Sequence, residues 1–353
     1  MLLSRKALRL LLFLAIATTL IGCELLSNPQ PTLGPPLVSQ ETPWPDGEPT
    51  PLPTYTPTTA PLGNPDNPII IGIINKNESA DQSDALAQLS SQLSGALQWS
   101  VQPKVFQDYL SLELALQTGE LHFAWLQTAE YLLASQKELV SSILGVNNLG
   151  VSAYGIQYLA HRDSELTEYF DVGSNTATSS PEHALQQFAG MRPCLTSDKS
   201  LAGYWVPLAY LAQSNIDFQE PVQTQSYNAN LRSLYIQGVC GFTSTYAISA
   251  DPRSSSAVIS DLPDVIEKLP VIWISPPIIP NRALAASNKV DLAIQARVSE
   301  FLLSFSRHES GKQILSDALQ YEVSALVAQN DNAFQTLRDI LNFTQIRFLD
   351  LVQ

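Results

Sequence analysis

The chain is short of the elements that most chemistries need. It has three cysteines, two methionines and four histidines in 353 residues, and only 15% of it is charged. Three cysteines can make neither a disulfide-dense scaffold nor a four-thiolate zinc site. His122, His161, His183 and His308 lie far apart and form no ligand spacing. No HExxH, CxxC, GxSxG, Walker loop or GxGxxG occurs, and isolated carboxylates such as Glu78 and Asp108 have no nucleophile or metal set beside them. The sequence therefore points away from an enzyme and needs no cofactor. Positive charge is also scarce. Nineteen Lys+Arg against 33 Asp+Glu give a net charge of −14, the opposite of a nucleic-acid binder's footprint. Only one apolar stretch is long enough to consider as a membrane element, and it stands at the N-terminus, so a polytopic transporter is excluded.

What the chain has is apolar mass. Hydrophobic residues make up 45%, enough to fill a core and exclude wholesale disorder, and the length fits about two domains. The N-terminus reads as an export signal: Arg5, Lys6 and Arg9 precede an apolar core over residues 10–20. Leu20-Ile21-Gly22-Cys23 follows, which looks like a bacterial lipobox. The expectation is a signal peptide over 1–22, cleaved before Cys23, whose thiol takes a diacylglyceryl group. Two acyl chains anchor a protein stably where one would not. The alternatives are a plain signal peptide or an uncleaved anchor helix.

Residues 23–68 read as a lipidated cysteine followed by a disordered Pro/Thr-rich tether. Thirteen of the 24 prolines fall in 29–68. Proline removes a donor and fixes φ, so this stretch builds no packed sheet or helix. Extended at ~3.1 Å per residue, it reaches roughly 120 Å.

From Ile69 on, strand and helix patterns alternate. Ile69-Ile70-Ile71-Gly72-Ile73-Ile74 has the continuous apolar character of a buried parallel strand, and leucines at 86, 89, 93 and 97 give helical spacing over 83–97. Strands are expected near 101–106, 121–125, 154–160, 190–195, 222–225, 239–249 and 271–274. Helices are expected near 109–118, after 125 through Tyr131 and Leu133, and at 181–189, 201–213 and 229–237. The last 65 residues read as mostly helical, with helices at 289–306, 310–319 and a longer one at 332–350. Such alternation predicts an α/β fold. The pattern runs twice with no flexible linker, as expected if the chain crosses between two lobes and returns.

Four stretches resemble the phosphonate/phosphate/phosphite substrate-binding proteins of ABC importers. They are Gly72-Ile73-Ile74…Glu78-Ser79; Asp108-Tyr109 with Gly119-Glu120-Leu121-His122-Phe123-Ala124-Trp125; Ser200-Leu201-Ala202-Gly203-Tyr204-Trp205-Val206-Pro207; and Val271-Ile272-Trp273-Ile274-Ser275-Pro276 with Ile279-Pro280. Their order holds over about 69–320. The resemblance implies the type 2 periplasmic-binding fold, two α/β lobes joined by two hinge strands. Lobe 1 would be 69–157 and 275–353, and lobe 2 would be 158–274 with the hinge return.

The same resemblance implies a cleft lined by Asp108, Tyr109, Tyr154, Ser200, Leu201, Ala202, Gly203, Tyr227 and Arg282. The family's S-T-S-G turn opens a helix whose amides and dipole favour an anion. Ser200 and Gly203 match that turn, but Leu201 and Ala202 replace two hydroxyl donors. At ~1 kcal/mol or more per hydrogen bond, that loss weakens phosphonate binding by a factor on the order of 10–1000. Either the ligand differs, or other donors compensate, or the cleft is simply less polar. Arg282 falls where aminophosphonate binders of the family carry a carboxylate; it disfavours an ammonium group and suits an anionic one. The family's adjacent strands would also pair Cys194 with Cys240, and outside the cytoplasm that pair is expected oxidised. The implied function is a lipid-anchored receptor on the outer face of the bacterial cytoplasmic membrane, monomeric, delivering a small anionic solute to an ABC permease. The alternative is a degenerate receptor-like lipoprotein acting as a sensor or protein-interaction module.

Overall fold

The computed structural model of the protein describes residues 60–248 and 251–352. The stretch expected to be a signal peptide, Cys23 and most of the expected tether lie outside the described residues. Residues 60–68, assigned to the tether from their prolines, instead make a turn on the folded body. Gly63 N donates to Asn67 O (2.8 Å), and Gly63 O accepts from Ser100 N (2.7 Å). Gly63 has φ +94° and lies against the Trp99 ring, which a Cβ would meet at 2.9 Å. That is a position only glycine fills comfortably. Among the described residues, no helix is long and apolar enough to cross a membrane.

The first half alternates as the apolar periodicity predicts through β1 (Ile69–Ile74), α1 (Ala80–Leu97), β2 (Val101–Phe106), α2 (Tyr109–Thr118), β3 (Phe123–Leu126) and α3 (Thr128–Gln136), and β4 (Val140–Asn147) follows. The helix starts are legible. Ser79 caps α1 by accepting from Gln82 N, and Asp108 caps α2 by accepting from Ser111 N (2.8 Å). Each satisfies an amide that the first turn leaves unpaired.

β5 (Ala153–Ala160) then enters a second sheet. It is followed by the ribbon β6 (Phe170–Asp171) and β7 (Thr176–Ala177), α4 (Pro181–Ala184), β8 (Pro193–Leu195), α5 (Val206–Gln213), β9 (Val222–Gln223), α6 (Tyr227–Tyr235) and β10 (Phe242–Ala247). Two short helices, α7 (Ser256–Asp261) and α8 (Val265–Lys268), lead to β11 (Val271–Ile274) and β12 (Ile279–Pro280). The chain returns to the first sheet through β13 (Ala283–Ser287). It continues through α9 (Leu292–Phe305), α10 (Glu309–Leu319), β14 (Ala325–Ala328), α11 (Gln335–Leu341) and α12 (Phe348–Val352).

The first sheet has the order β14-β4-β13-β3-β1-β2 and the second β11-β5-β10-β8-β9, with β12 also on β5. β1 is parallel to β2 and β3, but β13 is antiparallel to both β3 and β4. The sheets are therefore mixed, as a chain that leaves and re-enters a sheet requires. The two crossings run side by side: Tyr154 pairs with Ile279, and Ala153 with Pro280. Asn281 locks them, donating N to Ser152 O (3.0 Å) and Nδ2 to Val151 O (2.7 Å).

The expected helix over 332–350 is two helices. A 3-10 turn (Asp331–Phe334) runs into α11, and the chain breaks before α12. Thr344 sits at the break, its Oγ1 donating to Leu341 O (2.7 Å), a local bond that competes with helix continuation. β4, β13 and β14 were not expected. In the core, Trp125 and Trp273 are both buried, and Trp273 Nε1 donates to Ser179 O (3.0 Å).

Tyr131 is fully buried. Its hydroxyl donates to Asp331 Oδ1 (2.7 Å) and accepts from Ser142 N (3.1 Å). Tyr131→Phe orphans a buried amide and should destabilise the fold by about 1–3 kcal/mol, read by denaturant unfolding.

Candidate functional site

The crossing places a cavity of about 500 Å³ between the two sheets. One wall comes from the returning strand and α3: Gln127, Thr128, Ala129, Pro280, Asn281 and Arg282, with Gln320 and Tyr321 beyond α10. The other comes from the turn after β8, with Lys199, Ser200, Leu201 and Ala202, and from Tyr227 at the start of α6. Tyr154, on the outgoing strand, joins them. Among the described residues, its charged lining residues are Lys199 and Arg282. In a chain of net charge −14, that local reversal of sign is a property of the site.

Ser200 caps a π-helical turn (Leu201–Trp205) that continues as α5, its Oγ accepting from Gly203 N (3.0 Å). Trp205 Nε1 ties the turn to Asp198 O (2.7 Å), and Thr196 N donates to Gly203 O (3.0 Å). The first amides of the turn have no partner within the helix, and the residues that carry two of them, Leu201 and Ala202, line the cavity. Gly203 is buried behind this wall rather than lining it. A Cβ there would stand 2.0 Å from Thr196 Oγ1 and 2.9 Å from Ser200 Oγ. Gly203→Ala must therefore displace the Thr196 side chain and crowd the capping serine, and we expect it to weaken anion binding at least tenfold, an effect of about 1.4 kcal/mol, read by calorimetry.

Opposite, α3 opens with a capping box in which Gln127 N donates to Glu130 Oε2 (2.7 Å). Thr128 Oγ1 donates to Pro280 O, joining α3 to the returning strand. A second helix N-terminus thus meets the cavity.

Arg282 is the most unusual group here. Its Nη1 donates to Leu319 O (2.7 Å), its guanidinium lies 5.6 Å from the Tyr321 ring centre, and its buried Nε has no acceptor. Burial lowers its proton affinity, while Glu130 and Tyr321 raise it. Glu130 is itself pushed toward the neutral form by burial, an effect opposed by the Gln127 amide and by Arg282. Burial raises Tyr154 and pushes Tyr227 up to about 12, with the nearby Ser200 hydroxyl pulling Tyr227 the other way. Both phenols are neutral at physiological pH and can donate hydrogen bonds.

Of the nine residues expected in the cleft, Tyr154, Ser200, Leu201, Ala202, Tyr227 and Arg282 line this cavity. Tyr109 is 1% exposed in the core, and its hydroxyl is unpartnered. Asp108 spends its carboxylate capping α2 and lines a neighbouring cavity of about 380 Å³ with Lys76. Sequence reasoning missed Lys199, Thr128, Asn281 and Tyr321. Lys199 and Asn281 were available as polar neighbours of Ser200 and Pro280. Thr128 and Tyr321 carry no local signal.

A larger depression, about 680 Å³, involves Tyr131, Ser135, Asp331 and Arg338. Its cation is already used, since Arg338 donates to Asp331 and to Ser135. Among the described residues, no group of His, Cys, Asp and Glu could hold a metal ion.

Two α/β halves joined by paired crossing strands, with a polar cavity at the crossing, define a bilobal solute receptor of the type 2 periplasmic-binding class. The profile of the ABC transporter phosphonate periplasmic substrate-binding proteins matches residues 71–340, and the chain belongs to that family. The structure is similar to XAC2383 from Xanthomonas citri, solved bound to chloride (TM-score 0.55, 14% identity, 80% of this chain and 99% of that one). A second structure of XAC2383, bound to ATP, gives 0.54, 15%, 81% and 99%. PhnD1 from Prochlorococcus marinus, in complex with methylphosphonate, gives 0.48 with 16% identity over 78% of this chain and 98% of that one. At these identities the likeness concerns the fold. No curated protein matches the chain.

Proposed function

We propose that this family member is a lipid-anchored receptor that binds a small oxyanion at the crossing and presents it to an ABC permease. Phosphate, phosphite and methylphosphonate are the candidate ligands. The observation that supports this most is the lining among the described residues: two cations and no carboxylate, with the starts of two helices and three neutral phenols at one cavity. Lys199 and Arg282 supply the charge that the two missing hydroxyls at Leu201 and Ala202 do not. The halves that close on the ligand are 69–157 with 275–353, and 158–274. Cys23 holds the monomer to the outer face of the cytoplasmic membrane, with the proline-rich segment as its leash. A ligand that prefers the closed form shifts the equilibrium by its difference in affinity.

A thermal-shift series tests the ligand class. At a hundredfold excess over Kd, a bound anion stabilises the protein by about 2.7 kcal/mol. We expect shifts with phosphate, phosphite or methylphosphonate, and at least tenfold weaker binding of 2-aminoethylphosphonate, whose ammonium group meets Arg282 and no lining carboxylate. No shift with any anion contradicts the reading and favours a protein-interaction role.

A further inference from the structure

The cavity has an internal competitor. α12 packs beside α3, and its residues Phe348, Leu349 and Val352 rest on the core that carries Tyr131 and Ala202. Leu351 lines the 500 Å³ cavity and also the 380 Å³ cavity that holds Asp108 and Lys76. The side chain therefore stands where the two spaces meet. From the opposite wall, Lys199 Nζ donates to the backbone carbonyl of Asp350 (2.6 Å). That carbonyl belongs to the last turn of α12, where acceptors lack intrahelical partners and the dipole is negative. The Asp350 side chain is held separately by Arg347, at 2.9 and 3.0 Å, which leaves the carbonyl facing the lysine. A helix C-terminus thus takes one of the two cations that an oxyanion would take, and a leucine fills the adjoining space.

We infer that the segment Phe348–Val352 is an autoinhibitory strap: it holds Lys199 and wedges Leu351 into the cleft, and it must withdraw when the anion binds. This rests on the reading of the cavity as the anion site. The strap lowers the apparent affinity by the fraction of molecules in which it is withdrawn. It would also make release of Lys199 part of the binding step.

The test is calorimetric titration of inorganic phosphate and methylphosphonate into the full chain, into Leu351→Ala, and into a chain shortened by residues 348–353. Hydrogen exchange is followed at the amides of Asp350, Leu351 and Val352. We expect about tenfold tighter binding by both variants, as for a strap in place nine-tenths of the time. We also expect weaker binding by Leu351→Trp, and faster exchange at the three amides when phosphate saturates the full chain. Equal affinities, or weaker binding by Leu351→Ala, overturn the strap and leave the receptor reading standing. If no form binds either anion, both fall. Should the shortened chain fail to show a cooperative melt, Leu351→Ala and the exchange rates decide.

Discussion

Replacing Arg282 with methionine is expected to reduce anion affinity by about 10–150-fold while changing the stability of the protein little. The binding loss follows from the worth of a hydrogen bond to a charged group, about 1.5–3 kcal/mol. The stability result follows from what Arg282 does within the fold. It makes one bond to Leu319 O and leaves a buried Nε without an acceptor. A buried donor without a partner is a burden to the fold; relieving it, with contact to Tyr321 kept, offsets the loss of the Leu319 bond and of the cation near buried Glu130. A residue kept for structure would lose stability when replaced. A residue kept for a ligand loses binding alone. Arg282→Lys should recover only part of the affinity, because an ammonium group cannot present the guanidinium fork. Titration calorimetry and thermal melts of the same preparations separate the two effects.

Removing the disulfide has the second large effect. Cys194 and Cys240 are bonded, with Cα atoms 5.6 Å apart and a separation of 46 positions in sequence. Cys194 lies in β8, and Cys240 lies two residues before β10, which pairs with β8 only at Pro193 and Cys194. In the chain-entropy treatment a loop of this size stabilises by roughly 4 kcal/mol. The double substitution Cys194→Ser/Cys240→Ser should therefore lower Tm by about 10 °C. The consequence extends to the site, because the turn carrying Lys199 and Ser200 leaves from the end of β8. Binding should weaken along with the melt, unlike the Arg282 case.

The first half of the chain was readable because its signals are local. The isoleucine run of β1, the leucine spacing of α1 and the caps at Ser79 and Asp108 each act within a few residues. β13 was not readable, for a physical reason. Ala283-Leu284-Ala285-Ala286 has the composition of a helix, and it is extended because β3 and β4 take its hydrogen bonds on both sides and all five residues are buried. Tertiary pairing overrides propensity there. The break at Thr344 was likewise hidden, since one threonine in an apolar stretch is a weak stop signal.

At the site, Tyr154, Ser200, Tyr227 and Arg282 were found through resemblance, and Cys194–Cys240 was expected on the same ground. Asp108 shows the limit of that route. Its carboxylate is used as a helix cap, a role that its sequence context announces as clearly as a cleft role. Thr128 and Tyr321 line the cavity only because distant segments meet at the crossing, and no window of sequence contains that meeting.

Calorimetric titration of methylphosphonate into the purified mature protein, repeated with Arg282→Met, tests the central claim most directly. Saturable binding at one site per chain, lost or weakened at least tenfold in the variant, is the result expected. Undiminished binding by the variant, or no heat and no stabilisation with any small oxyanion, would contradict it.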